Sequence, residues 1–189
     1  MKLPIVHIVL IAFITFSCSP NANLQNVNAQ DVNLKLGNGV LFYKDLPFTG
    51  YLVSYYEPLK LKSKIEYVDG KKHGSENQWY INGDKSIERF YKKGFKTGIH
   101  NSWWKDGTPK FEYHFNEKGK FHGVVKEWYK NSQIFRDFNY VEGKEVGHQR
   151  MWKNDGTIKA NYEVVNNERF GLIGLKKCYT VTANEYGIK

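Results

Sequence analysis

The sequence predicts an all-β fold, namely an elongated antiparallel sheet built from tandem β-hairpin repeats of about 24 residues each. A glycine recurs along the chain at a nearly constant spacing, and an aromatic pair and two turn sequences follow it at fixed distances. In addition, 16% of the residues are aromatic. Aromatic side chains favour strands because a flat ring packs well on a half-buried pleated surface.

The repeat is defined by a glycine column whose members lie 24 or 25 residues apart. The column consists of Gly50, Gly74, Gly98, Gly123, Gly147 and Gly171. Five residues after each of the first five glycines stands Tyr55 or a tryptophan, and these tryptophans are Trp79, Trp103, Trp128 and Trp152. We expect the tryptophan column to be structural and to stack on the return-strand aromatics Tyr91, Phe115 and Tyr140.

Two turn signals divide each unit into strands. The first turns are Asn82-Gly83, Asp106-Gly107, Asn131-Ser132 and Asp155-Gly156, and the second turns are Asp69-Gly70, Lys93-Gly94, Lys118-Gly119, Glu142-Gly143 and Asn166-Asn167. Asn-Gly and Asp-Gly favour type I′ turns, so we expect that geometry at the first turns. Repeat three holds one extra residue, which predicts a bulge near residues 116–118. Repeat one has Glu57-Pro58-Leu59 at its first turn, as is typical of a capping unit.

The N-terminal residues resemble an export signal. Lys2 is followed by an apolar run over residues 5–16, and Thr15-Phe16-Ser17-Cys18 resembles a bacterial lipobox. We therefore predict a lipoprotein signal peptide over 1–17 and a lipid on Cys18; plain secretion is the alternative. Residues 18–39 are rich in asparagine and predict a flexible tether. The repeat domain is expected over 40–189, with repeats from about 48 to 171 and a cap over 172–189.

The basic charge favours anionic partners. Removal of Lys2 with the signal lowers the formal net charge from +9 to +8. An exported protein rarely meets nucleic acid, so no nucleic-acid partner is expected. Lysines cluster at the second turns and predict a basic edge of Lys71, Lys72, Lys93, Lys96, Lys120 and Lys144. This edge is either a row of solvated turns or a surface that binds a polyanion or an anionic membrane.

A second aromatic column follows the first and is the candidate binding surface. This aromatic strip consists of Tyr56, Tyr80, Trp104 and Tyr129, and it could receive a sugar ring, a lipid head group or another sheet. The histidines occupy different offsets in the repeat, and no nucleophile or phosphate-loop motif is present. We expect no enzyme activity, metal or cofactor. If Cys18 is lipidated, Cys178 has no intrachain partner and is either a buried hydrophobe or a reactive thiol.

The unit Gly74, Trp79-Tyr80, Asn82-Gly83, Tyr91, Gly94 resembles a MORN repeat, in particular the second variant found in tandem in bacterial proteins. The resemblance covers residues 48–171. Such chains are often labelled antitoxins of the YwqK family. MORN arrays contact membranes, phospholipids and proteins, so the resemblance implies binding. We expect an outer-membrane lipoprotein facing the periplasm that acts as a protein-interaction or scaffold module; the alternatives are a binding module for anionic lipid or glycan and a partner that neutralises a toxin.

Overall fold

The structure is a computed structural model that describes residues 24–174. All of the regular structure in this range is β-sheet, which confirms the predicted fold class. The strands are β1 (Asn26–Asn28), β2 (Leu34–Gly37), β3 (Val40–Tyr43), β4 (Leu46–Pro47), β5 (Gly50–Tyr56), β6 (Lys60–Val68), β7 (Lys71–Trp79), β8 (Lys85–Lys92), β9 (Phe95–Trp103), β10 (Pro109–Phe115), β11 (Phe121–Trp128), β12 (Ile134–Val141), β13 (Lys144–Glu145), β14 (Gly147–Trp152), β15 (Ile158–Val165) and β16 (Glu168–Leu172).

One long sheet contains the five predicted hairpins in chain order. Its strand order is β1-β5-β6-β7-β8-β9-β10-β11-β12-β14-β15-β16, and β13 pairs with β12. From β5 onward every neighbouring pair is antiparallel, whereas β1 runs parallel to β5. The hairpins are β5–β6, β7–β8, β9–β10, β11–β12 and β14–β15, so each repeat contacts only its neighbours, as in other repeat proteins. The predicted C-terminal cap lies outside the described residues from 175 onward.

The tether predicted for residues 18–39 is wrong where the chain forms β1 (Asn26–Asn28) and β2 (Leu34–Gly37). Strands β2, β3 and β4 make a separate three-stranded sheet, and β1 extends the long one. Val27, Leu41 and Phe48 are buried together at this end, and Phe48 is only 2% exposed. The physical reason is that the first repeat has no preceding hairpin, so its apolar face requires a cover, and these few apolar residues provide it.

The repeat glycines allow the register to shift between hairpins. Between Ile65 and Tyr67 on β6, the partner on β7 moves by four residues, from Glu76 to Lys72. Gly74 lies within this irregularity at a φ of +63°. A Cβ at this glycine would lie 2.1 Å from Glu66 Oε2, so the missing side chain also leaves room for the neighbouring strand. The column therefore marks a bulge, which explains why glycine is required once per repeat.

The type I′ geometry predicted for the first turns is wrong. At the first turn of repeat two, Gly83 N–H donates to the Tyr80 carbonyl at 2.9 Å, and only Gly83 is at positive φ. This is a type I turn followed by a left-handed residue, in which Asn82 Oδ1 accepts from the Asp84 N–H. The type I′ geometry instead occurs at second turns such as Lys93-Gly94, where φ is +51° and +88°.

The extra residue of repeat three lies in the turn, where a type I turn is followed by the left-handed Gly119, so the bulge predicted near residues 116–118 is a G1 bulge one residue further on. Asn116 N–H donates to the Lys120 carbonyl at 3.0 Å, and Gly119 N–H donates to the Asn116 carbonyl at 3.1 Å. This pattern is the same as that of the first turns. One added residue thus converts a two-residue type I′ turn into a three-residue loop, and the side-chain oxygen of Asn116 accepts two further N–H bonds.

Candidate functional site

Four successive repeats bury the residue that lies two positions after the repeat glycine. This buried column consists of Glu76, His100, Val125 and Gln149, with exposures of 2%, 1%, 0% and 0%. Three of the four are polar, and burial of a polar side chain is costly unless its hydrogen-bonding groups are paired. No residue type recurs in the column, so the sequence repeat gave no sign of it.

Gln149 replaces ladder hydrogen bonds where the strand breaks between β13 and β14. Its side-chain N–H groups donate to the carbonyls of Asn139 at 2.9 Å and Val146 at 2.8 Å. Its Oε1 accepts from the Asn139 N–H at 3.1 Å. The amide therefore bonds both backbone groups of Asn139 on β12 and the carbonyl of Val146 in the break between β13 and β14, which is a structural role.

His100 and Glu76 are each paired within the sheet. His100 Nε2 bonds to the Phe90 carbonyl at 2.8 Å, and burial lowers the pKa of this imidazole. Burial alone would raise the pKa of Glu76, but hydrogen bonds from Lys72 at 2.6 Å and Gln78 at 2.8 Å lower it below its ordinary value. Burial and the neighbouring Glu76 carboxylate raise the pKa of Tyr91 to about 12.

The lowered pKa of His100 predicts a stability that falls in mild acid. The unfolded chain binds a proton near the ordinary pKa of 6.5, whereas the folded chain resists it. The contribution of neutral His100 to the free energy of unfolding is therefore fully present above about pH 6.5, and it declines as the pH falls toward the lower pKa of the folded state. Charged groups that act on this ring are Arg89 and Lys96, which oppose protonation, and Glu76, which favours it.

We expect His100→Gln to flatten the pH dependence of the free energy of unfolding between pH 7 and pH 5. Chemical denaturation at several pH values measures this slope. His148→Gln is the control, because His148 is exposed and should leave the slope unchanged. Equal slopes in wild type and His100→Gln would contradict the prediction.

Two further carboxylates are each held by a tyrosine and an arginine, and no repeat column in the sequence points to either cluster. Glu127 accepts from the Tyr113 hydroxyl at 2.6 Å and bonds Arg136. Glu145 accepts from the Tyr162 hydroxyl at 3.0 Å and pairs with Arg169. Burial and the adjacent carboxylate raise the pKa of Tyr162 to about 12. These carboxylates are occupied by internal partners, so they stabilise packing between neighbouring strands.

The predicted aromatic strip connects one repeat to the next. The hydroxyl of Tyr80 donates to the Trp103 carbonyl at 2.8 Å. Tyr56 and Tyr129 make the equivalent bonds to the carbonyls of Trp79 and Trp152, at 3.1 and 3.2 Å. Three members of the strip are thus structural at their hydroxyl ends, and ligand binding by the strip stays a prediction.

The expected stacking of the tryptophan column on Tyr91, Phe115 and Tyr140 is wrong. Among the described residues, close ring pairs involve Tyr, Phe and His, and none includes a tryptophan. His100 and Phe121, and not the tryptophans, pack on the return-strand aromatics. The ring centres of His100 and Phe115 are 4.6 Å apart, and those of Phe121 and Tyr140 are 5.3 Å apart. The reason is register, since Trp103 faces Pro109 and Trp128 faces Ile134.

Loss of one tyrosine hydroxyl is expected to weaken the junction between repeats. Tyr80→Phe removes the bond to the Trp103 carbonyl and should lower the free energy of unfolding by about 1 kcal/mol. Tyr55→Phe is the matched control, because Tyr55 is 40% exposed and its hydroxyl has no hydrogen bond in the part of the chain described. Urea denaturation compares the two variants. An equal effect of both would show that the bond contributes nothing.

Trp104 departs from the tyrosine pattern and lines a cleft between repeats three and four. Its Nε1 is buried and has no hydrogen-bond partner among residues 24–174. The cleft has a volume of about 310 Å³, and its aromatic lining includes Phe111, Tyr129 and Phe135. Lys110 Nζ lies 4.6 Å from the centre of the Trp104 ring. This is the one member of the predicted strip that combines an unpaired donor with a concave surface.

The predicted basic edge is partly neutralised. Lys72 is bound to the buried Glu76, and the nearby Lys92 pairs with Glu117 at 2.9 Å. The exposed lysines of the set are Lys71, Lys93, Lys96, Lys120 and Lys144. They lie at or beside the second turns, which follow one another along the sheet. The edge therefore retains an excess of positive charge, and its binding to anionic surfaces stays a prediction.

Cys18 and Cys178 lie outside the described residues, so lipidation and the role of the second thiol stay predictions. Within 24–174, no group of three or more His, Cys, Asp or Glu side chains is placed to hold a metal ion. The same range contains no helix long and apolar enough to cross a membrane. No protein-family model matches the chain, and no curated protein matches it as a relative.

Proposed function

We propose that this chain is an exported lipoprotein, acylated at Cys18, whose repeat sheet is a non-catalytic protein-interaction module at the cell envelope. The export signal and lipobox resemblance support the location. The observation that carries the interaction role is the difference between the two ends of the described sheet. The N-terminal end is covered by β1 and the three-stranded sheet, whereas within the described residues β16 pairs only with β15.

The sequence of β16 suits it to accept another strand. All five of its residues are exposed, including Phe170 at 56% and Leu172 at 46%. Edge strands commonly carry proline, lysine or a bulge that discourages pairing with other chains. The segment Glu168–Leu172 contains neither proline nor lysine and is paired without a bulge to β15. Its two charged residues, Glu168 and Arg169, lie at its start, and Arg169 is paired with Glu145.

Addition of a partner strand to β16 would use both its backbone and its exposed apolar side chains. A partner peptide would pair with the outer backbone N–H and C=O groups, which provide affinity without sequence preference. The exposed Phe170 and Leu172 side chains would supply apolar contacts that select the partner. A long sheet behind the edge holds it rigid, so little ordering entropy opposes binding.

A photo-crosslinking residue at position 170 tests this proposal in the native envelope. We expect one discrete adduct with another protein from position 170, and none from position 81, where Ile81 is 54% exposed in a first turn. Phe170→Asp should reduce capture from a crosslinker placed instead at Leu172. Adducts of the same pattern from positions 81 and 170, or a link only to the chain's own residues 175–189, would contradict the proposal.

The lipid anchor is tested separately. We expect wild-type protein to remain in the membrane fraction and Cys18→Ala to be released by aqueous extraction, because one acylated cysteine provides the membrane affinity. Metabolic labelling with a fatty-acid analogue should mark the wild type alone. Labelling of the Cys18→Ala variant would contradict acylation at this residue.

A further inference from the structure

The cleft at Trp104 has the composition of a small ligand site. Its volume of about 310 Å³ lies at the lower end of the range of about 300 to 1,000 Å³ common for ligand pockets. Five aromatic residues besides Trp128 line it, together with Lys110, Lys130 and Glu127. A larger open hollow of about 640 Å³ shares Tyr129 and Lys130 with the cleft and continues toward Asn131 and Asn154.

At Trp104, repeat three lacks a structural hydrogen bond that three other repeats make. In three other repeats the equivalent tyrosine hydroxyl donates to a tryptophan carbonyl of the next repeat. Trp104 makes no such bond, and its buried indole N–H lacks an acceptor among the described residues. Because this nitrogen is buried, Trp104 offers its ring, and not an accessible N–H, to a ligand in the cleft.

The charge at the cleft is positive. Lys110 lies over the Trp104 ring, and both Lys110 and Lys130 are exposed. The only carboxylate in the lining, Glu127, is occupied by Tyr113 and Arg136. Its negative charge is thus offset inside the sheet, and the two lysines remain to attract an anion.

We propose that this cleft binds a sugar residue that carries a carboxylate, as part of an acidic glycan. The aromatic rings, with Trp104 among them, would pack against the apolar face of the pyranose, and the lysines would pair with the carboxylate. The adjoining hollow gives room for a neighbouring sugar beside Asn154, while the Asn131 amide bonds the Asn154 carbonyl and the Gln133 N–H. Asp106 also lines this hollow, and its carboxylate accepts from the hydroxyl and N–H of Thr108. This inference does not depend on β16 or on the lipid anchor.

Titration calorimetry of the full chain in detergent with trigalacturonate tests the proposal. Trp104→Tyr is the decisive variant, because it restores the residue found in repeats one, two and four and should fold at least as stably as wild type. We expect it to weaken binding at least about tenfold. Lys110→Gln should weaken binding by a smaller factor, and Lys159→Gln, at the equivalent position of repeat five, should leave it unchanged.

Two further probes separate the ligand classes. Galactotriose, the uncharged counterpart, should bind at least about tenfold more weakly than trigalacturonate. Glycerophosphoglycerol, a soluble lipid head group, should bind more weakly still. The proposal is overturned if trigalacturonate fails to bind wild type, if Trp104→Tyr binds it as well as wild type does, or if either control probe binds equally tightly.

Discussion

Replacement of Gln149 by methionine is expected to lower the free energy of unfolding by about 3 kcal/mol or more. The side chains have similar length, so packing changes little. The amide, however, pairs the N–H and C=O of Asn139 and the carbonyl of Val146, and Gln149 is fully buried. The Asn139 N–H and the Val146 carbonyl lose their partner, whereas the Asn139 carbonyl still accepts from the Val146 N–H at 2.9 Å. Each backbone group left unpaired in the interior costs about 1 to 3 kcal/mol. Denaturation in urea at pH 7 measures the change.

The matched control for Gln149→Met is Arg150→Met on the same strand. Arg150 is exposed, so the same introduced side chain should change stability by less than about 0.5 kcal/mol. A value for Gln149→Met within that range would mean that the three hydrogen bonds do not hold β12 to β14.

Gly70→Ala is expected to detach the N-terminal cover from the repeats. Gly70 has a φ of +72°, and a Cβ there would lie 2.7 Å from the Leu41 carbonyl oxygen and 2.3 Å from Val40 Cγ1. The same glycine donates to the Phe48 carbonyl and accepts from the Leu41 N–H, both at 2.8 Å. Backbone strain of about 1 to 2 kcal/mol adds to the displacement of these bonds, so a total of about 3 kcal/mol or more is expected.

Gly107→Ala isolates the strain component. Gly107 has a similar φ of +83°, but no neighbouring atom lies within 4 Å of a Cβ built there. We expect a loss of about 1 to 2 kcal/mol for this variant. In Gly70→Ala, amide hydrogen exchange should also quicken in β1 to β4 while β9 to β12 stay protected. Uniform exchange across the sheet would contradict a local attachment.

The fold was predictable because its signals repeat. Glycine, an aromatic pair and a turn recur with nearly fixed spacing, and the five hairpins follow directly from them. The turn type was harder to predict from the sequence. Asn-Gly can form the two central residues of a type I′ turn, and it can also form the second and third residues of a three-residue loop. The loop at Asn82 is longer by one residue, and this difference decides the type.

The buried column was not predictable from one sequence, because its members pair their hydrogen-bonding groups in different ways, and one of them has none to pair. Val125 requires no partner, His100 bonds one carbonyl, and Gln149 bonds three backbone groups. Glu76 depends on Lys72, which lies four residues earlier on the same strand. Likewise, the cover formed by β1 rests on a single buried valine, Val27, within an asparagine-rich segment, and composition alone indicates a tether there.

The measurement that tests the central claim most directly is amide hydrogen exchange of the full-length protein with and without the partner captured at position 170. Strand addition predicts slower exchange in β16 on binding and little change in the first turns, such as residues 81–83. Protection confined to other strands, with β16 exchanging as fast as in the free protein, would contradict the proposal that this sheet is an interaction module that binds through β16.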